Sequence, residues 1–95
     1  MKGKKITRKI VLRIINERGL HARASAKFAS IVDSHVSSVE VSKGNLVVPG
    51  NSIMGLLTLA AEKGSVISIK ITGKDEKVLE EKLENLVNNY FGEGI

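Results

Sequence analysis

Ser65-Val-Ile-Ser-Ile-Lys-Ile-Thr72 alternates with a period of two, so that Ile67, Ile69 and Ile71 share one face and Ser68 and Lys70 the other. A strand of that kind belongs to an antiparallel sheet with one side on a core and one in water. Lys63-Gly64 turns the chain into it and Gly73 ends it. The same pattern recurs upstream from Val36 to Ser42, where Val39 and Val41 oppose Ser38, Glu40 and Ser42. Lys43-Gly44-Asn45 then makes a tight turn into Leu46-Val47-Val48, which predicts a β-hairpin closed by Pro49-Gly50-Asn51. Thr7 to Ile15 supplies a further strand, with Ile10, Leu12 and Ile14 on its wholly apolar face.

The remaining segments read as helices. Ala22 to about Asp33 carries a narrow stripe of Ala22, Ala26, Ala29 and Val32, joined by Phe28 and Ile31. Small residues there let a helix lie close to a sheet. Ser52 is a preferred N-cap for a short helix over Ile53 to Ala61, in which Gly55 costs about 1 kcal/mol relative to Ala. That segment is apolar nearly all round. With Ile53, Leu56 and Ala60 turned inward, Met54 and Leu57 are hard to hide, and two readings stay open: a docking surface, or a helix more deeply buried than its pattern suggests. Asp75 is placed to cap a last helix from Glu76 to about Tyr90, with Leu79, Leu83, Leu86 and Tyr90 on its inner stripe beside Val87. Gly92 and Gly94 read as a frayed exit. The order β-α-β-β-α-β-α implies one α+β domain over residues 1–95, its mostly antiparallel sheet under helices on one face, with 1–5 as a flexible basic tail.

Composition narrows the function classes. With 95 residues the chain suits one core. Aromatic residues are only 3%, too few to give bases the rings they stack on. There is no cysteine, so disulfides and thiolate metal sites are excluded, and a cytoplasmic home is compatible. Ile10 to Ile15 is too short for a secretory segment and is broken by Arg13; no run is long enough to span a bilayer, so no membrane role is expected. The net charge of +5 is uneven: the first third holds most of the lysines and arginines, and the last third Asp75, Glu76, Glu80, Glu81, Glu84 and Glu93.

Chemistry-bearing residues are few. Two histidines with scattered carboxylates do not make a metal site, and no cofactor is expected. His35 sits in an Asp-Ser-His-Val turn and reads as a surface residue. Gly50 and Gly55 lack the following Lys-Ser/Thr of a nucleotide loop. Ser25 lies close to His21, but a hydrolytic triad also needs a buried Asp–His pair. What remains is Arg18-Gly-Leu-His-Ala-Arg-Ala-Ser-Ala-Lys-Phe28. It puts His21 at or just before a first helical turn, whose unpartnered N–H groups and positive dipole end favour an anion. Taken alone, this is either a surface histidine capping a helix or an imidazole that takes up phosphate, steadied by Arg23 and the backbone of Ala22 and Arg23.

Gly19-Leu-His-Ala-Arg23 resembles the active-site stretch of HPr, the histidine-containing phosphocarrier family of the bacterial phosphoenolpyruvate-dependent phosphotransferase system, and Ser52-Ile-Met-Gly55 resembles its regulatory serine segment. The similarity runs from about Ile6 to Phe91 and includes the element order. It implies an open-faced β-sandwich with a four-stranded antiparallel sheet and three helices on one side. It also implies a carrier that is not itself an enzyme: His21 takes phosphate on Nδ1 from enzyme I and gives it to a IIA protein, with Arg23 steadying the phosphate. Ser52 matches the serine modified by HPr kinase/phosphorylase, and Ala24, Ile53, Met54 and Leu57 fall on the partner-docking surface. The family commonly carries Pro where this chain has Ala24; Ala leaves one more N–H free, and transfer is expected to persist. Both the sugar-transporting and the nitrogen-type branch fit. The competing class is a small basic module that binds nucleic acid or an acidic protein; it predicts salt-sensitive affinity that survives loss of His21.

Overall fold

The computed structural model describes residues 7–95, so the basic segment 1–5 lies outside the described residues. Strand β1 (Thr7–Arg13) is followed by helix α1 (Ala22–Asp33), the hairpin β2 (Ser38–Lys43) and β3 (Leu46–Pro49), helix α2 (Ile53–Thr58), strand β4 (Val66–Thr72), helix α3 (Glu76–Asn88) and a 3₁₀ turn at Tyr90–Gly92. The sheet order is β1-β4-β2-β3, with every neighbouring pair antiparallel. Together with the three helices it forms the open-faced α+β sandwich that the family resemblance implies.

Register explains why one face is covered. Ile10 pairs with Ile69 and Leu12 with Ile67, while Val41 pairs with Ile69 and Val39 with Ile71. These rows put the apolar side chains of three strands on one surface. Phe28, Ala29 and Val32 of α1 and Leu79, Leu83 and Val87 of α3 complete the core over it. On the open face Lys70 lies between Lys9 and Glu40.

Several boundaries differ from the sequence reading, each for a local reason. The hairpin begins at Ser38, not Val36, because Asp75 accepts from the N–H groups of Val36 (3.1 Å) and Ser37 (3.0 Å) and from the Ser37 hydroxyl. Asp75 therefore occupies the N-cap position of α3 without capping it through its side chain. The Ser37 hydrogen bond, with the two backbone donors behind it, holds its carboxyl below the ordinary value against the opposing effect of burial.

Helix α2 spans six residues, and only Leu56 within it is buried. Ile53 and Ala60 do not enter the core: Ile53 is 42% exposed, and Ala60 adopts a left-handed φ of 49°. That reversal turns Leu59 and Ala61 inward instead. Likewise α3 stops at Asn88, and Tyr90 and Phe91 both take positive φ, so Phe91 fills the core position expected for Tyr90.

The exit of the chain is not frayed. Phe91 is fully buried, the Lys27 Nζ donates to its carbonyl at 2.7 Å, and the Glu17 N–H donates to the Ile95 carbonyl at 3.1 Å. Two left-handed residues are unfavourable in isolation; a buried phenylalanine and these bonds hold them.

Candidate functional site

The loop from Asn16 to Leu20 sets where α1 begins. Gly19 has φ +69°, and a Cβ there would lie 2.6 Å from the Ala61 carbonyl oxygen, so the position requires glycine on both counts. This close approach lets the Leu20 N–H donate to the Ala61 carbonyl at 2.9 Å, which ties the loop to the segment leaving α2. Leu20 is buried and His21 follows as the N-cap residue, with extended φ and ψ. The His21 carbonyl accepts the first helical hydrogen bond from the Ser25 N–H at 2.8 Å.

The His21 side chain does not cap the helix. The N–H groups of Ala22, Arg23 and Ala24 therefore have no partner within the helix or from its cap. There is no acidic residue in this first turn, and the exposed Arg23 makes no side-chain hydrogen bond or ion pair among the described residues. A helix start with free donors, a nearby guanidinium and no carboxylate in its first turn is suited to an anion.

The imidazole itself has a partner that the sequence reading did not name. Nε2 of His21 meets Oε2 of Glu93, and the other carboxylate oxygen, Oε1, accepts from Asn16 Nδ2 at 3.0 Å. Asn16 is completely buried and also donates through Nδ2 to the Gly19 carbonyl at 2.9 Å. Burial works to raise the Glu93 carboxyl; the hydrogen bonds from His21 and Asn16, with the charges of His21 and Arg18, outweigh it and hold the group below its ordinary value. One sequence signal pointed this way. Phe91 is one of two phenylalanines in an aromatic-poor chain, and burying it brings Glu93 back toward α1.

The other chosen residues divide. Ser25 is fully buried and its hydroxyl donates to the Leu20 carbonyl at 3.3 Å, which removes it from any triad with His21. Ala24, expected on a docking surface, is 0% exposed and has no side-chain area to offer a partner; it packs the start of α1 onto the core. Ser52 caps α2, accepting from the Gly55 N–H at 2.9 Å. Gly55 leaves room for this contact: a Cβ there would sit 3.0 Å from the Ser52 Oγ and 3.1 Å from Val48, so a larger residue would push these side chains aside by a few tenths of an ångström. Met54 is 72% exposed, Ile53 partly so, and Leu57 is half-buried, which leaves an apolar patch on α2. His35 donates through Nδ1 to the Ile31 carbonyl at 2.8 Å and so completes the end of α1.

A shallow depression lined by Arg13, Glu17, Lys63, Tyr90 and Ile95 does not include His21. No cluster of three or more histidine, aspartate or glutamate side chains fit to hold a metal occurs among the described residues, and none of their helices is long and apolar enough to cross a membrane.

Comparison with known proteins identifies the family. The family model of the PTS HPr component phosphorylation site matches residues 8–89, where PTS is the phosphotransferase system. The phosphocarrier protein HPr of Neisseria meningitidis is 49% identical over 83 residues, covering 87% of this chain and 93% of that protein. The phosphocarrier protein HPr of Cupriavidus necator is 44% identical over 81 residues, covering 85% and 91%. Among solved structures, HPr-C-His from Thermoanaerobacter tengcongensis superposes with a TM-score of 0.88 at 33% identity, over 93% of this chain and 99% of that one. None of these matches favours the nucleic-acid module. By the length and identity of these matches, the chain belongs to the HPr family of the phosphotransferase system, whose members are phosphocarriers and not enzymes.

Proposed function

We propose that His21 is the phosphoryl acceptor of this carrier, taking phosphate on Nδ1 from the phosphohistidine of enzyme I and passing it to a IIA protein in the cytoplasm. The observation that carries this reading is the helix start: His21 is the N-cap residue of α1 without acting as its cap, and it leaves the N–H groups of Ala22, Arg23 and Ala24 unclaimed beside it. A neutral imidazole is a competent nucleophile near pH 7, and its phosphoramidate keeps a high transfer potential. The protein contributes position and charge compensation, the main means by which phosphoryl transfer is catalysed. Arg23, exposed and charged, is the side chain that steadies the phosphate.

The exposed Ile53 and Met54 and the half-buried Leu57 form the docking patch for both partners. The hydrogen bond from Leu20 to Ala61 supports this, because it joins the His21 loop to the chain leaving α2. Ser52 is the residue that HPr kinase/phosphorylase modifies. A phosphate there adds about two negative charges next to the same patch, so it acts on partner docking more than on folding.

Incubation of the chain with phosphoenolpyruvate and a cognate enzyme I should give an acid-labile phosphate on His21. Equal labelling of His21→Ala sinks the acceptor reading. Acid-stable phosphoserine after treatment with ATP and HPr kinase supports the switch, and unchanged transfer by Ser52→Asp argues against its effect on the relay.

A further inference from the structure

A neutral imidazole carries one proton and one basic lone pair on different nitrogens, and the partner of one nitrogen decides which is which. At His21 that partner is Glu93. An ionised carboxylate only accepts, so the ring proton lies on Nε2, facing Oε2 of Glu93, and the lone pair lies on Nδ1. This pair is not a loose surface contact: the two side chains are 23% and 14% exposed. Glu93 is itself oriented from behind, because Asn16 Nδ2 donates to its Oε1 and also to the Gly19 carbonyl. The buried amide thereby binds the C-terminal segment to the loop that carries His21. Phe91 in the core and the Lys27 bond to the Phe91 carbonyl fix the rest of that segment.

We propose that Glu93 is a positioning residue for phosphoryl transfer: it keeps the His21 proton on Nε2 and so presents unprotonated Nδ1 to the phosphoryl donor, with Asn16 holding Glu93 in place. The proposal rests on the reading of His21 as acceptor. In the transfer, the Nδ1 lone pair forms the bond to phosphorus, the P–N bond of the donor phosphohistidine breaks, and its electrons return to the donor ring. The Nε2 proton does not move. The phosphorylated ring is then cationic and lies against the Glu93 carboxylate. On the onward step the electrons of the P–Nδ1 bond return to Nδ1, and the ring departs as a neutral imidazole because Nε2 kept its proton. A ring without that proton would have to depart as an anion. A carboxylate that sets a histidine's tautomer and orientation plays the same physical part in hydrolytic triads and behind metal-bound histidines.

The test uses the full chain and reads the ring directly. In ¹⁵N-detected spectra of the unphosphorylated protein at neutral pH, His21 should be almost wholly the Nε2–H tautomer. Glu93→Ala should shift it to a mixture and slow phosphorylation by phospho-enzyme I about tenfold, the lower end for loss of a carboxylate behind a functional histidine. Glu93→Gln keeps the shape but has one oxygen for two donors, Asn16 and His21, so it should also lower the Nε2–H population. An unchanged tautomer ratio in both variants overturns the proposal, and so does a shifted ratio with an unchanged rate. The spectrum needs no donor protein, so this failure is separate from equal labelling of His21→Ala, which would remove the acceptor reading instead.

Discussion

Two helices in this molecule begin with a polar residue in extended conformation, and they treat their first turns in opposite ways. At α2, Ser52 accepts from the Gly55 N–H, and the glycine allows the hydroxyl to come close. At α1, His21 holds the same position without a cap bond, and its ring turns to Glu93. The first arrangement satisfies the helix locally, as caps usually do. The second leaves donors unclaimed and stabilises the start by other means, through the Gly19 turn and the Leu20–Ala61 bond. Equal position in a helix therefore does not mean equal role; what separates the two is where the side chain's hydrogen-bonding groups are directed.

The comparison breaks most sharply if α1 is given the cap that α2 has. His21→Ser should remove the acid-labile phosphate completely, since a serine hydroxyl with no base beside it is a poor nucleophile. The new cap contributes about 1 kcal/mol, which offsets the lost Glu93 contact, so Tm should stay within a few degrees. Complete loss of labelling in a folded protein separates the chemistry from the capping. Gly19→Ala strikes the alternative support of α1. A left-handed alanine, with its Cβ against the Ala61 carbonyl, should cost roughly 2–4 kcal/mol in denaturant unfolding and slow transfer with it. Ser52→Ala removes only a cap, so it should cost about 1 kcal/mol and leave labelling of His21 unchanged.

Much of this could be read from residue order because the signals were local. Alternation around Ile67, Ile69 and Ile71 identified the half-covered sheet, and Gly19-Leu-His21 marked the start of α1 at the residue where the structure begins it. The failures share a different cause. Asp75 looks like a cap because aspartate before a helix generally is one, yet its carboxylate is claimed by Val36 and Ser37, far away in sequence. Ala24 falls on the docking surface only through the family resemblance, while the rotation of α1 on the sheet buries it. Glu93 escaped notice because Gly92 and Gly94 flank it. Its role depends on two successive left-handed residues and on a phenylalanine entering the core, neither of which a two- or four-residue periodicity expresses.

The smallest effect sharpens the same comparison through pH. The Glu93 carboxyl is held below its ordinary value in the folded protein. In the window between its folded and unfolded values, the folded state binds fewer protons than the unfolded one, so this contact stabilises the fold above the ordinary glutamate range and is lost as pH falls through the folded value. The stability gap between the native chain and Glu93→Ala should therefore be present at pH 7, at less than about 1 kcal/mol, and should close in acid as pH falls below the ordinary glutamate range. The start of α2 has no acidic residue in its first turn, and its cap is a hydroxyl bonded to an amide. Neither group titrates in this range, so the gap between the native chain and Ser52→Ala should be the same at pH 7 and in acid. Denaturant unfolding of both variants at the two pH values measures this directly. A gap at Glu93 that persists in acid would mean that its carboxylate is not what holds the C-terminal segment to α1, and the contrast between the two helix starts would then rest on the Gly19 turn and the Leu20–Ala61 bond.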